Sequence, residues 1–245
     1  MKDALVAESP VEFRLHGVPI AVLMRTPGND EELGLGFAIT EGIVLGPHEV
    51  TSIELVEGTS EGDRYTFNLA DGVIVDPEQF ARNFFTSSSC GVCGKASIDA
   101  VRIAARTMDP GPTIAPGIIT SLPDTIGHHQ AAFQETGSIH AAAAFTPGGT
   151  LVALFEDVGR HNAVDKLVGH LARKQWPLDR YIFFVSGRVS FEMVQKAAVA
   201  GIPAIGGISG ASDLAVELGE ELNMTVFGFV RNDGFNVYCG DDRFA

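Results

Sequence analysis

The segment SSSCGVCGK separates Cys90 from Cys93 by two residues and follows each with a glycine. Four chemistries use that spacing: half of a structural zinc site, a thioredoxin-type redox pair, the ligand pair of a zinc deaminase, and a carrier of transferable sulfur. A closed zinc site needs four ligands, and only Cys239 and histidines such as His128, His129 or His140 remain to complete one. A deaminase needs an upstream His-x-Glu and a proline before its first cysteine; here Ser89 precedes Cys90, and no histidine is followed two residues later by glutamate. A redox pair expects a buried strand directly before it, and NFFTSSS is a weak version of one. Sulfur transfer suits the surroundings best. Apolar residues recur with helical spacing in KASIDAVRIAART, so the thiols precede a helix whose N-terminus, with Lys95, favours thiolate. Thiolate is the form that attacks a sulfur donor to become a persulfide.

Four more segments put polar groups where a strand should end and a helix or turn begin. FEDVGRHNAVDK carries Glu156, Asp157, Arg160, His161, Asn162, Asp165 and Lys166, too polar a set for an ordinary sheet-to-helix junction. VSGRVSFEMVQKA repeats the arrangement with Ser186, Gly187, Arg188 and Ser190, GGISGASD adds Ser209, and GFVRNDGFNVY supplies Arg231, Asn232 and Asp233. Ligands bind at strand C-termini of α/β sheets, and arginines beside backbone amides suit phosphates. Together the junctions suggest a nucleotide-like ligand with several phosphates.

The elements that must hold these groups follow from periodicity. Residues 12–26 read as a hairpin around His16-Gly17, a helix through DEELGLGFAITEG follows with Asn29 or Asp30 as its cap, and VTSIELVE and RYTFNLA are two further strands. This half, to residue 85, is a small α+β unit. After the cysteine loop, DPGPTIAPG reads as a linker and SLPDTIGHHQAAFQETG as one helix closed by Gly137. Residues 138–157 form a hairpin, and from there helices and strands alternate to the end, which predicts a layered α/β domain with a mixed sheet over 86–245.

A formal net charge of −14 argues against a nucleic-acid surface, so any anionic ligand relies on local arginines. Three cysteines allow no disulfide framework and point to a reducing compartment. MKDALVAESPVEF lacks the apolar core of a signal peptide, and no apolar run approaches a membrane span. The expectation is a cytoplasmic protein with no membrane partner.

The motifs SSSCGVCGK, EDVGRHNAVDK, SGRVSFEMVQKA with AGIPAI, GFVRNDGFNVY and TPGNDEELGLGFAITEGI resemble those of the formate dehydrogenase accessory sulfurtransferases, the FdhD family. That resemblance implies a cytidine-deaminase-like α/β/α domain with an added N-terminal subdomain, assembled as a homodimer. It implies that persulfide sulfur from a cysteine desulfurase passes to a molybdenum or tungsten bis-guanine-dinucleotide pterin cofactor serving formate dehydrogenase. Cys90 is then the persulfide carrier and Cys93 an auxiliary thiol. Phe229, Val230, Arg231, Asn232, Asp233 and Gly234 match the family's cofactor stretch, and Arg160, His161, Arg188 and Ser209 are our extension of it. Two departures touch ligand contacts: Ser138 replaces a usual glycine, and SGASDLAV lacks a usual proline. No resident zinc is expected, which separates this reading from a deaminase-like hydrolase; persulfide loading separates it from a nucleotide-binding regulatory module.

Overall fold

The computed structural model describes residues 3–59, 62–77, 105, 107–109 and 111–245. Cys90, Cys93 and most of the helix expected after them lie outside these residues. The first hairpin pairs β1 (Ser9–Leu15) with β2 (Val18–Arg25) through His16 and Gly17, both left-handed at φ 51° and 79°. A second pairs β3 (Val50–Thr59) with β4 (Gly62–Leu69), and β1 joins β4 in parallel to give the order β2-β1-β4-β3. Alternate residues Val11, Phe13 and Leu15 are buried, as strand geometry requires of a half-covered sheet. Between the hairpins runs α1 (Asp30–Thr40), apolar on nearly every side and buried accordingly. Neither expected residue caps α1 with its side chain: Asn29 is left-handed at φ 58°, and Asp30 instead takes Arg25.

The second sheet has six strands: β5 (His140–Phe145), β6 (Leu151–Asp157), β7 (Ile182–Val185), β8 (Ala204–Gly207), β9 (Thr225–Arg231) and β10 (Gly234–Cys239). They lie in the order β10-β9-β8-β7-β5-β6, with β7, β8 and β9 parallel and the remaining pairs antiparallel. Phe183, Val185, Ala142 and Ala144 face α4 (Arg160–Ala172), α5 (Phe191–Val199) and α6 (Asp213–Glu221). Ile182, Phe184, Ala143 and Phe145 face α2 (Pro116–His129) on the other side. Helices thus cover both faces of a mixed sheet. The single helix expected over 121–137 begins earlier, at Pro116, and breaks at Gln130 before α3 (Ala131–Thr136). Proline preset for the first helical turn starts an element where its presence had suggested a linker.

One apolar cluster runs from the first sheet through α1 and α4 into the second. The two helices meet at glycines: a Cβ on Gly36 would lie 1.8 Å from the Asp165 carbonyl oxygen, and one on Gly169 would lie 2.0 Å from that of Glu32. Backbone cannot yield as a side chain does. Gly36→Ala is therefore expected to cost about 3 kcal/mol, the upper end of overpacking penalties, read as a lower urea midpoint at unchanged slope.

Charge is buried at the same junction. Lys196 Nζ donates to Asp165 Oδ1 at 2.9 Å, to Glu41 Oε1 at 2.9 Å and to Thr40 Oγ1 at 2.8 Å, while Thr40 Oγ1 donates to Asp165 at 2.7 Å. Burial pushes the Asp165 carboxyl up despite Lys196; at Lys196 burial is outweighed by Asp165 and Glu41, and its ammonium is held. In the first sheet Arg25, fully buried, spans Asp30 at 2.8 Å and Asp63 at 2.5 Å.

Candidate functional site

Register brings the four polar junctions to one edge of the six-stranded sheet. His140 pairs with Asp157, Ala142 with Val185, Val185 with Gly207, Gly206 with Phe227, and Gly234 with Arg231. The C-termini of β6, β7, β8 and β9 and the N-termini of β5 and β10 therefore lie together, at the end where parallel strands present ligand sites.

The first junction divides into two parts. Asp157 is fully buried and accepts from Thr26 N at 3.1 Å, Gly159 N at 2.8 Å, Asn162 Nδ2 at 3.0 Å and Lys166 Nζ at 2.7 Å. Asn162 Nδ2 also donates to Met24 O at 2.7 Å, and Lys166 Nζ to Thr26 O at 2.8 Å. These side chains bind the turn after β2 to the start of α4, and Asp165 goes to Lys196 as described. Glu156 accepts the Ala132 and Phe133 amides at 2.9 and 2.8 Å and so caps α3. The polar density that suggested a ligand site is thus largely internal: a buried joint between two sheets must satisfy every donor and acceptor it encloses. Arg160 and His161 are the exceptions. Arg160 Nε and His161 Nε2 are buried and have no hydrogen-bond partner among the described residues.

Around them stand groups from neighbouring strands. His161 Nε2 lies 3.9 Å from Glu192 Oε2, too far for a hydrogen bond but close enough for attraction. Burial works against the Glu192 charge, yet His161, a backbone N–H and Ser190, whose Oγ donates at 2.9 Å, hold its carboxyl down to about 2. His140 lies against Gly187, whose ideal Cβ position is 3.7 Å from Nδ1. Burial, then Arg160 and His161, push the His140 imidazole below its ordinary value. Glu192 was not singled out in the sequence; the only signal was its place in the first turn after Ser190. Arg188 is exposed and makes no hydrogen bond or ion pair among the described residues.

The second and third junctions are tied together, with Val189 N donating to Gly210 O and Ser212 N to Val189 O, each at 3.1 Å. Ser209 O accepts from Phe229 N at 3.1 Å, which brings in the fourth. Phe229 is left-handed at φ 51° and half exposed. An aromatic residue held there is strained, and such strain collects at functional sites. Its ring lies beside Gly210, where a Cβ would come within 2.9 Å of it. Val230 is fully buried beneath α2, so its side chain faces the core rather than the edge. Arg231 Nη1 donates to Ile208 O and Val230 O, both at 2.7 Å, and its remaining N–H groups make no bond among the described residues. Asn232 Nδ2 reaches Asp124 Oδ2 at 3.1 Å, Asp233 is exposed, and Gly234 opens β10. Among the described residues no group of three or more His, Cys, Asp or Glu side chains is placed to hold a metal, and no helix is long and apolar enough to cross a membrane.

The model of the FdhD/NarQ family matches residues 6–245. The chain belongs to the FdhD/NarQ family. Similar members include a protein named sulfur carrier protein FdhD in Streptomyces avermitilis, 47% identical over 99% of this chain and 89% of that one. Another of the same name in Sulfolobus acidocaldarius is 39% identical over 99% and 91% of the two chains. A crystal structure described as a formate dehydrogenase accessory protein from Desulfotalea psychrophila superposes with a TM-score of 0.78 at 23% identity, over 100% of this chain and 92% of that one. That likeness shows that the FdhD/NarQ arrangement of two mixed sheets extends across distant sequences. The FdhD/NarQ chain therefore presents its arginines and its strained aromatic on one sheet edge.

Proposed function

We propose that this FdhD/NarQ protein is a cytoplasmic sulfurtransferase, working as a homodimer. Its Cys90 thiolate attacks the terminal sulfur of a cysteine desulfurase persulfide, forming a new S–S bond as the donor's S–S bond breaks and the donor cysteine leaves as thiolate. The carried sulfur goes to the molybdenum or tungsten of a bis-guanine-dinucleotide pterin cofactor, the substrate, before that cofactor enters formate dehydrogenase. Cys93 assists as a second thiol. The observation that carries this reading is near-full-length similarity to proteins named sulfur carrier proteins, in a chain that has the Cys90-Gly-Val-Cys93 pair. The deciding experiment is the intact mass of the protein after incubation with a desulfurase and cysteine. One added sulfur atom, mapped to Cys90, is expected; an unchanged mass would refute the carrier role.

The cofactor is anionic and the protein carries a net charge of −14, so the sheet edge supplies the positive groups locally. Arg231 is fixed through Nη1 by two carbonyls, leaving its other donors oriented for a phosphate pair. Asp233 accepts the paired donors of a guanine edge. Calorimetry should accordingly show GDP binding better than ADP, and Arg231→Ala should lose roughly 2 to 3 kcal/mol of GDP affinity, the scale of a charge-assisted hydrogen bond. Equal GDP affinity in both proteins would remove Arg231 from the site.

A further inference from the structure

Thr26, the residue that follows β2, gives three polar groups to the junction of β6 with α4. Its amide donates to Asp157 Oδ2 at 3.1 Å, its Oγ1 accepts from Val158 N at 3.0 Å, and its carbonyl accepts from Lys166 Nζ at 2.8 Å. The residue before it fixes where these groups stand. Arg25 is fully buried, and its guanidinium is held by Asp30 of α1 at 2.8 Å, Asp63 of β4 at 2.5 Å and the Ser9 carbonyl of β1 at 3.1 Å. Thr26 therefore cannot shift without disturbing buried ion pairs. Within the junction, Asp157 Oδ1 takes Gly159 N at 2.8 Å and Asn162 Nδ2 at 3.0 Å. Those bonds link near neighbours in the chain and set the shape of the turn. Its place against the first sheet comes from Thr26, helped by Met24 O, which accepts from Asn162 Nδ2 at 2.7 Å.

We infer that Thr26 is a positioning residue for the ligand edge, through which the first sheet serves as a fixed post for Val158, Gly159 and the first turn of α4. The inference rests on the proposed function, which puts an anionic cofactor at this edge. The hydroxyl matters here more than the bulk. Valine has nearly the shape of threonine but offers no acceptor to the Val158 N–H, so the part-buried amide loses its partner. A turn released from the post spends part of its time displaced, and apparent affinity for a ligand at that edge falls by the fraction of molecules still in place. A contact that served stability alone would lower the unfolding midpoint and leave affinity untouched.

The test compares wild type with Thr26→Val, Thr26→Ala and Thr26→Ser, and uses Ile119→Val as a control. Ile119 is fully buried in the apolar cluster under α2, on the sheet face away from α4. Urea denaturation is expected to give lowered midpoints for Thr26→Val, Thr26→Ala and Ile119→Val. Calorimetry is expected to show GDP binding weakened about fivefold in Thr26→Val and Thr26→Ala. Ile119→Val should bind GDP as wild type does, and so should Thr26→Ser, whose hydroxyl accepts the same bond. Either acceptor-deleting variant decides the matter if the other does not fold. Wild-type GDP affinity in a folded one, or the same weakening in Ile119→Val, would overturn the positioning role alone. Absence of GDP binding to wild type would remove the nucleotide reading, and the positioning role with it.

Discussion

Cys90→Ser is expected to abolish both persulfide loading and activation of the client formate dehydrogenase, with the fold unchanged. A serine hydroxyl stays protonated near neutrality and cannot hold a sulfane sulfur, so the substitution removes the carrier atom itself. Cys239 supplies the internal contrast. It is half-buried in β10, its thiol approaches Met224 O at 3.5 Å, and burial above all pushes its thiol up. That thiol stays protonated and a poor nucleophile, so Cys239→Ser should load sulfur and activate the client normally. Intact mass and client activity in a strain lacking the native protein measure both. Full activation by Cys90→Ser at ordinary expression would end the persulfide account.

Lys196→Met should cost about 3 to 5 kcal/mol of stability, the range for removing one partner of a buried ion pair. The lysine satisfies Asp165 and Glu41 together, and Asp165 is 2% exposed. Without the ammonium, a carboxylate already pushed up by burial is left beside a second carboxylate. Adding Asp165→Asn to Lys196→Met should restore part of the loss, because the stranded charge is gone. Urea denaturation of the two single variants and the double variant gives the coupling energy. A loss below about 1 kcal/mol for Lys196→Met would mean that water reaches the pair and screens it.

Hairpins, alternating helices and the polar strand ends were legible because each depends on residues close in sequence. The β1–β2 turn follows from His16-Gly17, and the shared edge follows once β7, β8 and β9 run parallel. The lock around Asp157 was not legible. Its partners Met24 and Thr26 lie more than 130 residues away in the chain, and a buried joint and a ligand site draw on the same polar side chains. Nor did the sequence divide DVGRHNAVDK between structure and site, since Arg160 and Lys166 differ in burial and partners, not in local pattern. Val230 shows the same limit: its neighbours Phe229 and Arg231 face outward while strand alternation turns it into the core.

The glycine crossing of α1 with α4 also bears on the order in which the molecule is made. Gly36 contacts Asp165, and Glu32 contacts Gly169, so α1 reaches its native cover only when the chain is made well past residue 165. At synthesis rates of about 5 to 20 residues per second, that interval is on the order of ten seconds. Throughout it, a helix apolar on nearly every side has only its own small sheet to lie against. The nascent chain thus leaves the ribosome with an adhesive segment near its N-terminus, and the close fit that later excludes even a methyl group makes early shielding by a chaperone valuable.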